Sequence, residues 1–114
     1  MLFIYYPKCS TCQKALKHLK RKNLNPKLRH IVEDTPTQEE LLKWIDVYGE
    51  GIKPFFNTSG KLYRELDIKN RITKMTNEEA ALLLSQNGML IKRPLLIQDD
   101  DVIIGYKEGI YENL

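Results

Sequence analysis

Residues 2–12 read Leu-Phe-Ile-Tyr-Tyr-Pro-Lys-Cys-Ser-Thr-Cys, and this stretch decides the fold. Its first five residues are apolar, β-branched or aromatic, the pattern of a buried strand. Pro7 stops that strand. Ser10 or Thr11 is then placed to cap a helix running to about Asn23. Within the helix Cys12, Ala15, Leu16 and Leu19 recur at helical spacing and form one apolar stripe, with the lysines mainly on the other side. Asn23 to Pro26 ends it. Residues 27–32, Lys-Leu-Arg-His-Ile-Val, alternate polar and apolar and predict a second strand. A strand, a helix and a strand in that order are most simply a parallel pair with a crossover helix.

Outward from this unit the chain turns helical. Thr35-Pro36 opens a helix, with Thr37-Gln38-Glu39-Glu40 as a capping box. Leu41, Ile45 and Tyr48 line one side, and Gly49 or Gly51 ends it. Residues 52–72, with Pro54 and Gly60, predict short helices and turns. Thr76-Asn77-Glu78-Glu79 is a second capping box, followed by Ala80, Leu83 and Leu84, with Gly88 expected as the stop. Pro94 to Gln98 is a strand. The turn Asp99-Asp100-Asp101 leads to another at Val102 to Gly105, a connection short enough for an antiparallel hairpin. A last helix falls within Lys107 to Leu114. The fold class is therefore α/β, a four-stranded mixed sheet with a helical insertion. One domain over 1–114 is expected, its core about 1–34 and 91–114 and its insertion about 35–90. Trp44, the single tryptophan, is expected in the core; His18 and His30 are expected at the surface or a strand end.

The 114 residues, 42% hydrophobic and 29% charged, have an ordinary globular composition. No apolar run approaches the ~18 residues of a membrane span. No signal peptide opens the sequence, so a cytoplasmic location with reduced thiols is expected. The net charge of +3 hides an asymmetry: residues 1–32 carry eight Lys or Arg and no acid, while the rest is acidic on balance. A basic first quarter suits nucleic acid, an acidic protein or a plain solvated helix face. The helix lacks interleaved aromatics and any DNA-binding pattern, so direct nucleic-acid binding is not expected. A monomer is expected.

The chemistry lies in Cys9 and Cys12. A thiol at a helix start meets unpaired N–H groups and the positive end of the helix dipole, and both favour thiolate. Lys8 adds a cation. Cys9 is thus the expected nucleophile. Cys12, one turn on and on the apolar stripe, is within reach to resolve a mixed disulfide. Half a zinc site is the first alternative, but tetrahedral zinc needs four ligands and His18 and His30 stand in no finger spacing. Two unconnected structural cysteines is the second. Arg93-Pro94 precedes the third strand. An X–Pro bond is readily cis there. Arg93 is then a candidate to bind an anion or support the Cys9 thiolate, or else a surface cation. Arg64 and Asn57 sit in a polar stretch with no assigned direction.

Several stretches together resemble the ArsC/Spx family, the arsenate reductase-like branch of the thioredoxin superfamily. They are Tyr6-Pro7-Lys8-Cys9-Ser10-Thr11-Cys12-Gln13-Lys14-Ala15, Phe55-Phe56-Asn57-Thr58-Ser59-Gly60, Tyr63-Arg64-Glu65-Leu66, Gly88-Met89-Leu90-Ile91-Lys92-Arg93-Pro94-Leu95 and Gly105-Tyr106-Lys107-Glu108. The resemblance implies a thioredoxin-like fold with an inserted helical subdomain. It implies catalysis by Cys9, with Arg93 before a cis-proline contacting a bound oxyanion. Lys8, Ser10, Thr11, Asn57 and Pro94 are the expected substrate-binding residues. The glutaredoxin-coupled arsenate reductases use further arginines where this chain has Asn57 and Tyr106, and they usually lack a counterpart of Cys12. The implied activity is an arsenate reductase-like thiol-disulfide oxidoreductase acting on a disulfide or oxyanion. Thioredoxin or glutathione with glutaredoxin is the implied reductant, and no cofactor or metal is called for. The alternative is an Spx-like redox regulator that binds the C-terminal domain of the RNA polymerase α subunit. The sequence stops at Leu114, short of the basic tail of Spx-type proteins, which weighs toward the oxidoreductase.

Overall fold

The computed structural model describes residues 1–114. Their contacts separate two units, Met1–His30 with Arg93–Leu114, and Ile31–Lys92.

The first unit is built on a four-stranded sheet. Strand β1 is Leu2–Tyr5, helix α1 Ser10–Arg21 and strand β2 Lys27–His30. β1 and β2 pair in parallel, with Leu2 opposite Lys27 and Tyr5 opposite His30. This is the predicted strand–helix–strand unit, although β2 ends two residues early and α1 stops at Arg21. Phe3 and Ile4 are successive and both fully buried, so β1 reads as a central strand with no solvated face.

Two antiparallel strands complete the sheet: β3, Leu95–Gln98, beside β1, and β4, Asp101–Ile104, at the edge. The spatial order is β2-β1-β3-β4. The β3–β4 hairpin needs only Asp99 and Asp100 between paired Gln98 and Asp101. Asp99 takes φ +52°, a left-handed conformation that Asp tolerates better than most residues. The Arg93–Pro94 bond is cis, and the Pro94 carbonyl accepts from the Gly105 N–H at 2.8 Å. Phe3, Ala15, Leu19, Leu96 and Tyr111 form one buried cluster, so the apolar stripe of α1 faces the sheet. Tyr111 belongs to the short last helix, Glu108–Glu112, numbered α6 below.

The second unit is helical. Helix α2 is Gln38–Tyr48, α3 Lys61–Glu65, α4 Ile68–Arg71 and α5 Asn77–Gln86. Both predicted capping boxes form. Thr37 Oγ1 accepts from the Glu40 N–H at 3.1 Å while Glu40 returns a bond to the Thr37 N–H. Thr76 and Glu79 repeat the arrangement. Gly49 closes α2 at φ +72°, as Gly does at the end of a helix. α2 and α5 pack together. They bury Leu41, Trp44 and Ile45 from one helix and Ala80, Ala81 and Leu84 from the other. Tyr48 is only half-buried and stacks edge-on against Phe55.

Gly88 does not act as the expected left-handed stop. α5 ends at Gln86, and Gly88 instead begins a 3-10 turn over Gly88–Leu90. A side chain there would collide with the Ile31 carbonyl, so close backbone approach is what requires glycine. A single bridge, Phe56 to Ile91, joins the irregular middle to the segment leading out of the unit.

Candidate active site

Strand β1 delivers the chain to a tight turn. The Cys9 N–H returns to the Tyr6 carbonyl at 3.0 Å, and α1 begins at the next residue. Neither Ser10 nor Thr11 caps the helix; both are exposed in its first turn. Cys9 is itself the cap. Its backbone is extended, its carbonyl accepts from the Gln13 N–H, and its Sγ accepts from the Cys12 N–H at 3.3 Å. The sulfur therefore occupies the place where a serine or aspartate oxygen usually sits, facing an orphan donor of the helix.

Cys9 is half-buried and Cys12 is 1% exposed. Both are free thiols. Burial pushes the Cys9 thiol up, but hydrogen bonds from the side chain and backbone of Cys12, with the charge and hydrogen bond of Arg93, outweigh it. The net direction is below the ordinary thiol value. Burial pushes Cys12 the other way, up to about 12. A backbone hydrogen bond with Tyr6 opposes the rise, and the neighbouring Cys9 adds to it. One turn of helix thus holds one thiol disposed to ionise and one disposed to keep its proton.

The cation acting on Cys9 is Arg93, whose guanidinium carbon lies 5.5 Å from the centre of the Tyr6 ring. Pro94 follows it, buried at the start of β3. Lys8 is exposed. The structure therefore brings together Cys9, Cys12, Arg93 and Tyr6, with Ser10 and Thr11 at the rim. Asn57 lies in the helical unit, where its N–H donates to the Leu90 carbonyl at 2.8 Å and its Oδ1 accepts from Ser59. No group of three Cys, His, Asp or Glu side chains converges on a shared point, at the thiols or elsewhere.

A second constellation on α1 is one that sequence reasoning missed. His18, expected at the surface or a strand end, is 1% exposed. Its Nε2 lies 2.7 Å from Glu112 Oε2 and its Nδ1 2.7 Å from the Tyr106 hydroxyl. A carboxylate only accepts, so Nε2–H donates to Glu112. Lys22 Nζ donates to the Glu112 carbonyl at 2.8 Å. The hydrogen bond from His18, then the charge of Lys22, holds the Glu112 carboxyl below its usual range. The Tyr111 hydroxyl is buried without a hydrogen-bond partner. Burial pushes its pKa up, and Cys12 and Tyr106 add to this. The signal for His18 was present in the spacing: it stands three residues after Ala15, on the edge of the apolar stripe.

A family model described as ArsC family matches residues 4–114. Uncharacterized protein YusI of Bacillus subtilis (strain 168) is 43% identical over 112 residues, covering 98% of this chain and 95% of that protein. Regulatory protein MgsR of the same organism is 32% identical, over 96% of this chain and 85% of its own length. Among solved structures, an ArsC family related protein from Bacteroides fragilis superposes with a TM-score of 0.92 at 47% identity, covering 98% of this chain and 94% of that one.

Proposed function

The chain belongs to the ArsC family of thioredoxin-like fold, and from that premise we propose that it is a thiol-disulfide oxidoreductase of the arsenate reductase-like kind. Cys9 is its nucleophile. The Cys9 thiolate attacks one sulfur of a substrate disulfide, and the S–S bond breaks. The departing thiolate leaves as a thiol after taking a proton from solvent. Cys12 then attacks Cys9 Sγ in the mixed disulfide. Its proton goes to solvent, the second substrate thiol departs, and a Cys9–Cys12 disulfide remains. Arg93 offsets the negative charge on the attacking sulfur or on an oxyanion substrate. Thioredoxin, or glutathione with glutaredoxin, returns the two electrons.

The observation that carries this reading is the geometry of two free thiols one turn apart: Cys9 Sγ caps α1 and accepts from the Cys12 N–H, while Cys12 is buried behind it, an arrangement that favours thiolate at Cys9 and thiol at Cys12. Iodoacetamide alkylation of Cys9 followed against pH tests it. The expected midpoint lies below the ~8.5 of a free cysteine, and a midpoint at or above that value sinks the proposal.

The likeness to MgsR, named a regulatory protein, favours a second reading. In it the same thiol pair is a redox switch, and the protein acts by binding the C-terminal domain of the RNA polymerase α subunit. A pull-down with that domain, on reduced and oxidised protein, separates the two. Binding in one redox state only supports the switch; no binding in either state removes it.

A further inference from the structure

The spacing that gives α1 an apolar stripe also gives it a cationic one. Lys14, Lys17 and Arg21 follow the i, i+3, i+7 pattern and so share one sector of the helix. All three are exposed. With Thr11, Tyr106 and Glu108 they line a cleft of about 450 Å³. Glu108 is the single acid against three cations. The close ion pairs to α6 run from His18 and Lys22 to Glu112; Lys14 and Lys17 take no part in them, and Arg21 adds only its charge at longer range. Tyr106 is fixed as part of the wall by its 2.7 Å bond to the buried His18.

Thr11, which lines the cleft, lies in the first turn of the helix that Cys9 caps, so one end of the cleft is at the thiol's end of α1. At a helical rise of 1.5 Å per residue, Lys14 lies about 7 Å and Arg21 about 18 Å along the axis from Cys9. An extended peptide advances about 3.3 Å per residue. Carboxylates placed roughly two to six residues from a cysteine held at Cys9 would then meet the three cations. A small carboxylated disulfide reaches Lys14 at most.

We propose that this cleft docks an acidic segment flanking the disulfide of a protein substrate, with Lys14, Lys17 and Arg21 as its specificity-determining contacts. The proposal rests on the oxidoreductase reading above and names the class of partner for it. Charge complementarity selects the occupant: no acid precedes Glu33 in the chain, and the lining is net positive. The chemistry is the two-electron exchange already described, ending in the Cys9–Cys12 disulfide and two substrate thiols.

Single turnover of the pre-reduced protein needs no further reductant and tests this directly. The substrates are a peptide disulfide with glutamates two, four and six residues from its cysteine, the same peptide with glutamines, neutral bis(2-hydroxyethyl) disulfide, and dianionic 3,3′-dithiodipropionate. The readout is the ratio of second-order rate constants for the acidic and glutamine peptides. At low ionic strength it is expected to be about tenfold or more, to shrink toward one at 0.5 M salt, and to fall to one or below in K14E/K17E/R21E. A ratio near one in the native protein, or one retained in the triple variant, overturns the docking site. An equal advantage for 3,3′-dithiodipropionate overturns the peptide as occupant. If none of the four disulfides oxidises the dithiol, the oxidoreductase reading itself fails. If all react without regard to charge, only the docking site fails.

Discussion

The first turn of α1 and its middle place polar side chains against the same core and treat them in opposite ways. At the start, Cys9 Sγ accepts a long bond from the Cys12 N–H and is also engaged by the Cys12 side chain and by Arg93, which stands just before β3. Two turns further on, His18 has both ring nitrogens engaged at 2.7 Å. An imidazole with both nitrogens partnered locks two elements together. Donors and a cation gathered round a sulfur at a helix start favour its thiolate instead. Reactivity on this helix therefore follows from which partners a group has, not from exposure alone, since Cys9 is itself half-buried.

The contrast breaks most completely at Cys9. Cys9→Ser is expected to abolish turnover of any disulfide, measured by thiol release. Cys12→Ser is expected to stop at one equivalent of released thiol, with the mixed disulfide on Cys9 visible as added mass; full turnover in that variant would remove Cys12 from the mechanism. At the other site the effect should be on stability. His18→Ala leaves a cavity and strips the partners from Tyr106 and Glu112, so a loss of about 2–4 kcal/mol in chemical denaturation is expected, with the Cys9 alkylation midpoint unmoved.

Arg93→Gln sharpens the comparison from the reactive side. Loss of the cation removes a cause that lowers Cys9, so its titration midpoint must move up. Alkylation at pH 7 should slow by about tenfold if the shift is one unit, and the deficit should vanish above both midpoints, where the thiol is ionised in either protein. The smallest effect is expected at Tyr111→Phe. Its hydroxyl has no partner to lose, so stability should rise, by about 1 kcal/mol in chemical denaturation.

Much of this was legible in the sequence because local rules and the fold agree. Leu2–Tyr5 is apolar throughout and becomes a central strand. The two Thr-x-x-Glu boxes mark helix starts that form as read. The Cys9–Cys12 spacing places both thiols on one turn. The cap itself was not legible, because cysteine is outside the oxygen-bearing residues that capping preferences describe, and Ser10 and Thr11 stand next to it. The burial of His18 is hinted at by its spacing from Ala15, but its partners Tyr106 and Glu112 were not legible because they lie 88 and 94 residues away. Gly88 misled for a related reason: its position after a helix suggests a left-handed cap, whereas contact with the distant Ile31 backbone is what excludes a side chain. For His18 and Gly88 the common element is long-range contact, which periodicity does not encode.

Trp44 sits alone on α2, 7% exposed, in a protein with no other indole. The sheet unit carries no tryptophan; its aromatic side chains are Phe3 and the tyrosines at positions 5, 6, 106 and 111. The two units therefore have separate optical addresses. Emission excited at the red edge of the aromatic band reports the helical unit alone, so comparing its denaturation curve with far-ultraviolet circular dichroism shows directly whether the two units melt together or in turn.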